Sequence, residues 1–207
     1  MQPNGSTALK SAAGFDLVGA TADEALIAAI AGGDTGAMQR LYDRHRVRVF
    51  RFAVRLVGDA TCAEDVVSEA FIEVWRQADR FERRSSVSTW IMSIARFKAL
   101  SVRRRRQEIE LDEKAADTMA DHASTPEQAV LEMDRSTQIR ACLRQLSTDH
   151  REIIDLVYYH DKTIDEVAEI IGVPKNTVKT RMFYARKRLA QLLSRCSDFD
   201  HLAATAV

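Results

Sequence analysis

The chain has 207 residues, with 30 Lys plus Arg balanced by 30 Asp plus Glu, so its formal net charge is zero. That length allows one large or two small domains. No apolar run reaches the length of a membrane span and no hydrophobic signal core opens the chain, which excludes a membrane-inserted reading and predicts a cytoplasmic protein. The three cysteines, Cys62, Cys142 and Cys196, are far apart and form no CxxC or Cys/His ligand spacing, so neither a metal site nor another cofactor is expected.

Residues 1–20 are small and polar and predict a disordered tail. From Thr21 the pattern is helical. Thr21 and Glu24 form a capping box ahead of an apolar run from Ala25 to Ile30, and Gly32-Gly33 closes that helix. Asp34 can cap the next helix, whose apolar face is Met38, Leu41, Tyr42, Val49, Phe52, Ala53 and Leu56, and Gly58 stops it. Thr61 and Glu64 box the start of a third, with Val66, Val67, Ala70, Phe71, Val74 and Trp75 at i, i+1, i+4, i+5, i+8 and i+9. A fourth is expected from about Ser88 to Arg105. Glu108 to Thr125 is acidic and poor in apolar residues and reads as a linker. Thr125-Pro126 opens another helix, Ser147-Thr148 breaks it, and Arg151 to Tyr159 forms the helix after that. The expected fold is therefore all-α, with two small helical domains at about 21–106 and 126–194, a linker at 107–125 and a tail at 195–207.

The charge is segregated along the chain. Arg96 to Arg106 and Lys175 to Arg188 are basic, whereas Glu108 to Asp121 is acidic apart from Lys114. A neutral total thus leaves nucleic-acid binding open.

The stretch TIDEVAEIIGVPKNTVKTRMFYARKRLAQLL, from Thr163 to Leu193, reads as a helix-turn-helix. Thr163 and Glu166 box its first helix, Gly172 supplies the turn, and Pro174 sits at the start of the second helix. Ala168 is small enough for two crossed helices to approach, and Val178 can fill the angle between them. The second helix carries Lys175, Lys179, Arg181, Arg186, Lys187 and Arg188 with no intervening acid, the pattern of an element that enters a DNA major groove. A basic α-hairpin packed on a protein partner is the alternative.

In the first domain, Glu64, Asp65, Glu69 and Glu73 line the polar side of the third helix; first-turn acids also complement a helix dipole. The segment from Phe81 to Trp90 interleaves aromatics, hydroxyls and arginines, a composition suited to unpaired bases and phosphates. Four consecutive arginines, Arg103 to Arg106, exceed what a helix C-terminus requires.

In this order, AEDVVSEAFIEVWR, RFERRSSVSTWIMSIARFKAL, RRRR, an acidic linker and the helix-turn-helix resemble a bacterial sigma factor of the extracytoplasmic-function class. The resemblance spans about 24 to 193. It implies a non-enzymatic subunit that binds core RNA polymerase and directs promoter-specific initiation, with a sigma region 2-like and a region 4-like domain. It implies that Asp65 and Glu69 contact polymerase, while Phe71 and Trp75 are open to a core role. It implies that Phe81, Ser85, Ser86, Ser88, Thr89 and Trp90 handle the melted −10 element, with Arg96 and Lys98 on the non-template strand. Trp90, Ile94 and Phe97 share a helical stripe, so a core role for them stays open. On the −35 duplex, Lys175, Asn176, Lys179, Thr180 and Phe183 would face bases, and Arg181, Arg186 and Lys187 would hold phosphates. The class also implies an anti-sigma partner. Two positions depart from the family pattern: Phe97, where relatives often carry a polar residue, and Asn176, where glycine is common. A stand-alone helix-turn-helix regulator and a DNA-acting enzyme are the competing classes. The first leaves the SSVSTW loop without purpose, and the second lacks a phosphate loop or a catalytic grouping.

Overall fold

The computed structural model describes residues 22–116 and 135–204, and these are all-α, with eight helices and no strand among them. They are α1 (22–31), α2 (Thr35–Val57), α3 (Ala60–Gln77), α4 (Val87–Ala116), α5 (Arg135–Arg144), α6 (Thr148–Tyr158), α7 (Ile164–Ile171) and α8 (Lys175–Ala204). The chain divides into two compact units, and the boundary falls between Arg103 and Arg104, inside α4.

The first unit is built by local signals that act in sequence. Asp34 accepts from the Ala37 amide at 3.0 Å and starts α2. Gly58, at φ 76°, ends α2 in the left-handed conformation and returns its amide to the Val54 carbonyl at 2.9 Å. The next residue, Asp59, is extended and accepts from the Cys62 amide at 2.8 Å, so it is the N-cap of α3. The expected box at Thr61 and Glu64 is thereby corrected: both residues lie inside the helix, because the cap forms as soon as the chain leaves the Gly58 turn. Ile27, Ile30, Leu41, Val49, Val67, Phe71, Val74, Val87 and Ile91 form one buried cluster from all four helices. Asp23 of α1 is buried against α2, where His45 Nε2 lies 2.8 Å from its carboxylate and Arg44 donates to it.

The fourth helix does not stop at Arg105 but runs on to Ala116, so the first part of the expected linker is helical. The expected tail 1–20, the Thr21 cap, the rest of the linker and the helix start at Thr125-Pro126 lie outside the described residues.

The second unit packs α5, α6 and α7 on α8. Ser147 caps α6, whose helix begins at Thr148 rather than Arg151. The Arg151 guanidinium donates to the carbonyls of Leu143 at 3.1 Å, Arg144 at 2.6 Å and Leu146 at 3.1 Å. They lie in the last turn of α5 and just past it, where carbonyls lack i+4 partners, so one cation closes the α5–α6 corner. Cys142, Leu146, Ile153, Leu156, Val167, Ile170, Val178 and Ala185 are buried.

Candidate nucleic-acid interface

In the second unit, α7 opens on the full Thr163–Glu166 capping box and closes on Gly172 at φ 76°. The Gly172 amide returns to Ala168 at 2.9 Å, and the Pro174 carbonyl accepts from Thr177 at 2.9 Å and Val178 at 3.2 Å to begin α8. Val178, Met182, Ala185 and Leu192 form the buried stripe of α8. Val178 is fully enclosed and Ala168 nearly so, as expected of residues that set the crossing of two helices.

The opposite face of α8 presents Lys175, Asn176, Lys179, Thr180, Phe183, Arg186 and Lys187 to solvent. Seven of the eight residues expected to meet the −35 duplex thus share an exposed surface. Within it, Lys175 pairs with Asp165 of α7 at 2.7 Å, and the Thr180 hydroxyl donates to the Asn176 carbonyl at 2.9 Å. The eighth, Arg181, is half-buried and pairs with Asp149 of α6 at 3.1 Å, which anchors it beside the stripe. Phe183 is 63% exposed although it follows a buried methionine, and its ring meets Tyr184 edge-on at 5.4 Å. Arg186 lies over the Tyr158 ring at 5.7 Å. Sequence reasoning missed Asp149 and Tyr158. Both sit on α6, so their contacts depend on how α6 packs against α8, and no local pattern carries that.

In the first unit, Glu64, Asp65, Ser68, Glu69 and Ile72 occupy the exposed side of α3. Phe71 is core and meets Tyr42 edge-on at 4.9 Å, whereas Trp75 is partly exposed. An open groove between α2 and α3, lined by Tyr42, Arg46, Val47, Phe50, Glu64, Val67 and Ser68, borders the acidic face. Ile72 was not anticipated as a surface residue. It is half exposed one turn from Glu69, and its signal is that it falls off the i, i+1, i+4, i+5 apolar pattern.

At the start of α4, the Phe81 and Trp90 rings meet at 5.0 Å with their planes tilted by 43°, and both pack on the core cluster while keeping part of their surface open. Ser85, Ser86 and Ser88 are half-buried around them. Ser86 Oγ accepts from the Thr89 amide at 3.2 Å and donates to Thr89 Oγ1 at 2.8 Å, so Ser86 caps the helix. Thr89 has no accessible surface. Its expected role at a DNA base is corrected to that of a structural partner of the cap. Farther along α4, Arg96 is half-buried and Phe97 is 69% exposed. Lys98 is turned toward α3, where its ammonium donates to Glu73 at 3.1 Å. Of the three stripe residues, Trp90 and Ile94 pack on the core and Phe97 does not.

Among the described residues, no three His, Cys, Asp or Glu side chains are grouped to hold a metal ion, and no helix is long and apolar enough to cross a membrane. The face of α8 offers cations, a hydroxyl and an exposed aromatic, the start of α4 offers hydroxyls and aromatics, and α3 offers acids.

Residues 41–109 match the family model for Sigma-70 region 2, and residues 136–189 match that for Sigma-70, region 4. The chain is 30% identical over 166 residues to the ECF RNA polymerase sigma factor SigL of Mycobacterium tuberculosis, covering 80% of this chain and 93% of that protein. It is 29% identical over 171 residues to the ECF RNA polymerase sigma factor SigW of Bacillus subtilis, covering 78% of this chain and 91% of that one. Among solved structures it is similar to CnrH in complex with the cytosolic domain of CnrY, with a TM-score of 0.61, 26% identity, and coverage of 84% and 98%. It is also similar to the sigma factor RpoE in complex with the anti-sigma factor NepR from Bartonella quintana, with a TM-score of 0.59, 28% identity, and coverage of 75% and 96%.

Proposed function

The chain belongs to the extracytoplasmic-function sigma factors, which direct promoter-specific transcription initiation by RNA polymerase, and from that premise we propose that it reads promoters through two separate surfaces. The first is the exposed face of α8, which enters the major groove of the −35 element. Lys175, Asn176, Lys179, Thr180 and Phe183 meet base edges there, while Arg181, Arg186 and Lys187 hold phosphates. The second is the rim made by Phe81, Ser85, Ser86, Ser88 and Trp90, with Arg96 and Lys98 beside it, which captures the melted −10 strand. Asp65 and Glu69 dock on core polymerase. The two DNA-reading domains correspond to about 21–106 and 126–194, joined by 107–125. Because polymerase fixes the separation of the two DNA contacts, the second becomes effectively intramolecular once the first is made. The chain works in the cytoplasm as a regulator without catalytic chemistry of its own.

The observation that carries this reading is the division of α8 into a buried stripe through Val178, Met182 and Ala185 and an opposite solvent face of cations, an amide, a hydroxyl and an aromatic. That face combines cations that can hold phosphates with an exposed ring, Phe183, that can cover a thymine methyl, which supports the reading of a DNA-facing helix. An anti-sigma factor is a further partner in this proposal. RpoE is bound by one in its solved complex, and this chain follows RpoE over nearly its whole length.

The test is transcription in vitro with purified core polymerase, with and without this chain, on fragments of its own genome. Start sites that appear only with the chain and share −35 and −10 words at constant spacing support the proposal. Tight sequence-specific duplex binding without polymerase, and no chain-dependent transcripts, would overturn it in favour of a stand-alone regulator.

A further inference from the structure

Lys98 and Glu69, assigned to DNA and to polymerase respectively, meet in one cluster. The Lys98 ammonium lies 3.1 Å from a Glu73 oxygen and 3.9 Å from Glu69. Its side chain is 21% exposed and that of Glu73 is 22% exposed, whereas Glu69 stands 57% open. The second Glu73 oxygen accepts from Gln77, one turn farther along α3. The hydrogen bond from Lys98, then that from Gln77, hold the Glu73 carboxyl below its ordinary pKa, so it stays an anion at neutral pH. Glu69, Glu73 and Gln77 therefore form an i, i+4, i+8 ladder on α3, and Lys98 of α4 is set against its two acids.

A carboxylate oxygen and a phosphate oxygen present the same acceptor to an ammonium group. We propose that Glu73 is a built-in competitor of the DNA strand: it occupies Lys98 in the unbound factor, and a strand phosphate must displace it. This rests on the reading of Lys98 as a strand contact. Glu73 thus raises the threshold for strand capture. A strand that approaches Lys98 must either break the Glu73 pair or lie beside an uncompensated acid, and both lower its affinity relative to a bare lysine. Glu69 contributes in the same direction but less, because it is farther away and more exposed. Since Glu69 also lies on the polymerase-facing side of α3, a polymerase cation that engages it removes part of the negative field on Lys98. Polymerase docking and strand capture are then coupled through one lysine, and the coupling is reciprocal.

The experiment uses the full chain and a fluorescein-labelled oligothymidylate, whose phosphates supply the competing anion without sequence preference. Anisotropy titrations over a range of KCl give affinity and its salt slope. Glu73→Gln keeps the shape and, with its amide oxygen toward Gln77, that contact, while it removes both the charge and the acceptor that holds Lys98. It is expected to tighten binding by about threefold to fivefold, the worth of a partly exposed ion pair. It should also steepen the slope of log K against log salt by up to about 0.7, because Lys98 no longer exchanges a carboxylate for the phosphate and the displaced acid no longer takes up a counterion. Glu69→Gln, at an open position that does not threaten folding, is expected to act in the same direction by a smaller factor. Lys98→Ala should weaken binding and abolish the effect of Glu73→Gln in the double variant. If Lys98→Ala weakens binding while Glu73→Gln leaves it unchanged or weaker, the competitor role is overturned and the strand contact stands. If Lys98→Ala has no effect, the strand contact itself fails and the competitor role falls with it.

Discussion

Replacement of Gly172 by alanine isolates one term in the stability of the helix-turn-helix. Gly172 sits at φ 76° and ψ 35°, and its amide donates to the Ala168 carbonyl at 2.9 Å. A methyl group built there meets nothing within 4 Å, so neither a clash nor a lost contact contributes. What remains is the strain of an L-residue in the left-handed region, about 1–2 kcal/mol. Gly58 provides a near-matched control in the first unit, with the same φ of 76° and ψ 4° rather than 35°, an equivalent 2.9 Å bond to Val54 and equally open surroundings. The two substitutions should therefore cost the same, each confined to its own unit. Native-state hydrogen exchange of amides in α6–α8 and in α2–α3 reads the two losses separately. Asparagine, which tolerates this conformation better, should cost less than alanine at both sites. Binding to −35 duplex well below the melting temperature should survive Gly172→Ala, since the turn keeps its geometry. A cost below about 0.3 kcal/mol at Gly172 would refute the argument from strain. So would a difference of more than about 1 kcal/mol between the two sites, because it would mean that the surroundings contribute after all.

Lys179→Ala should weaken −35-dependent recruitment by about 1–3 kcal/mol without impairing binding to core polymerase; equal loss on promoters that lack the −35 match would remove Lys179 from the base-reading set. Asp65→Arg should impair core binding in a folded protein, because Asp65 is exposed and supports no packing; a normal core affinity for that variant refutes the assignment. Burial pushes the Asp23 carboxyl upward, but the hydrogen bond and charge of His45, and then those of Arg44, outweigh it and leave the group below its ordinary pKa. A depressed folded pKa means stability that is present above the unfolded value, near about 4, and lost as pH falls through the folded one. The first unit should accordingly lose stability below about pH 4, and Asp23→Ala should flatten that limb. At pH 7 the same variant should cost about 2 kcal/mol, less than a fully buried pair because Arg44 is 45% exposed. Chemical denaturation at pH 7 and pH 3.5 checks both.

Local signals carried most of the helix ends. Asp34, Gly58, the Thr163–Glu166 box and Gly172 each act through the backbone within four residues, so their geometry is implied by spacing alone. Three ends differ from the pattern: α6 starts at Thr148 rather than Arg151, because Ser147 caps it, and the other two differ for reasons of their own. At α3 the Thr61–Glu64 spacing fits a box, but Asp59 comes first and the Gly58 turn has already placed it in the extended conformation that a cap needs. At α4 the acids after Arg106 suggested a linker, yet residues 107–116, QEIELDEKAA, are nearly all strong helix formers. Their charge opposes packing, which is a different matter from opposing a helix, and α4 runs on through them.

The sites were less legible, because exposure depends on what stands beside a residue rather than on its period. Along α4, Val87, Ile91, Ala95 and Ala99 are buried, and Trp90, Ile94 and Phe97 follow one another on the flank of that stripe. Periodicity treats these three alike. Phe81 lies 5.0 Å from Trp90 and covers part of it, while Phe97 keeps 69% of its surface. The same division occurs on α8 between buried Met182 and Phe183, which is 63% exposed. A single exposed ring is ordinary on a protein surface. These two differ in their neighbours: Phe97 adjoins Arg96 and Lys98 in sequence, although Lys98 turns to Glu73 of α3, whereas Phe183 lies one helical turn from Lys179 and from Arg186–Lys187. A ring flanked by cations does suit a polyanion that carries bases, in which the phosphates satisfy the charges and the base or thymine methyl covers the ring. On the proposed reading of α4 as the strand-capturing helix, the exposed Phe97 would offer apolar rather than hydrogen-bonded contact where the family pattern often has a polar residue.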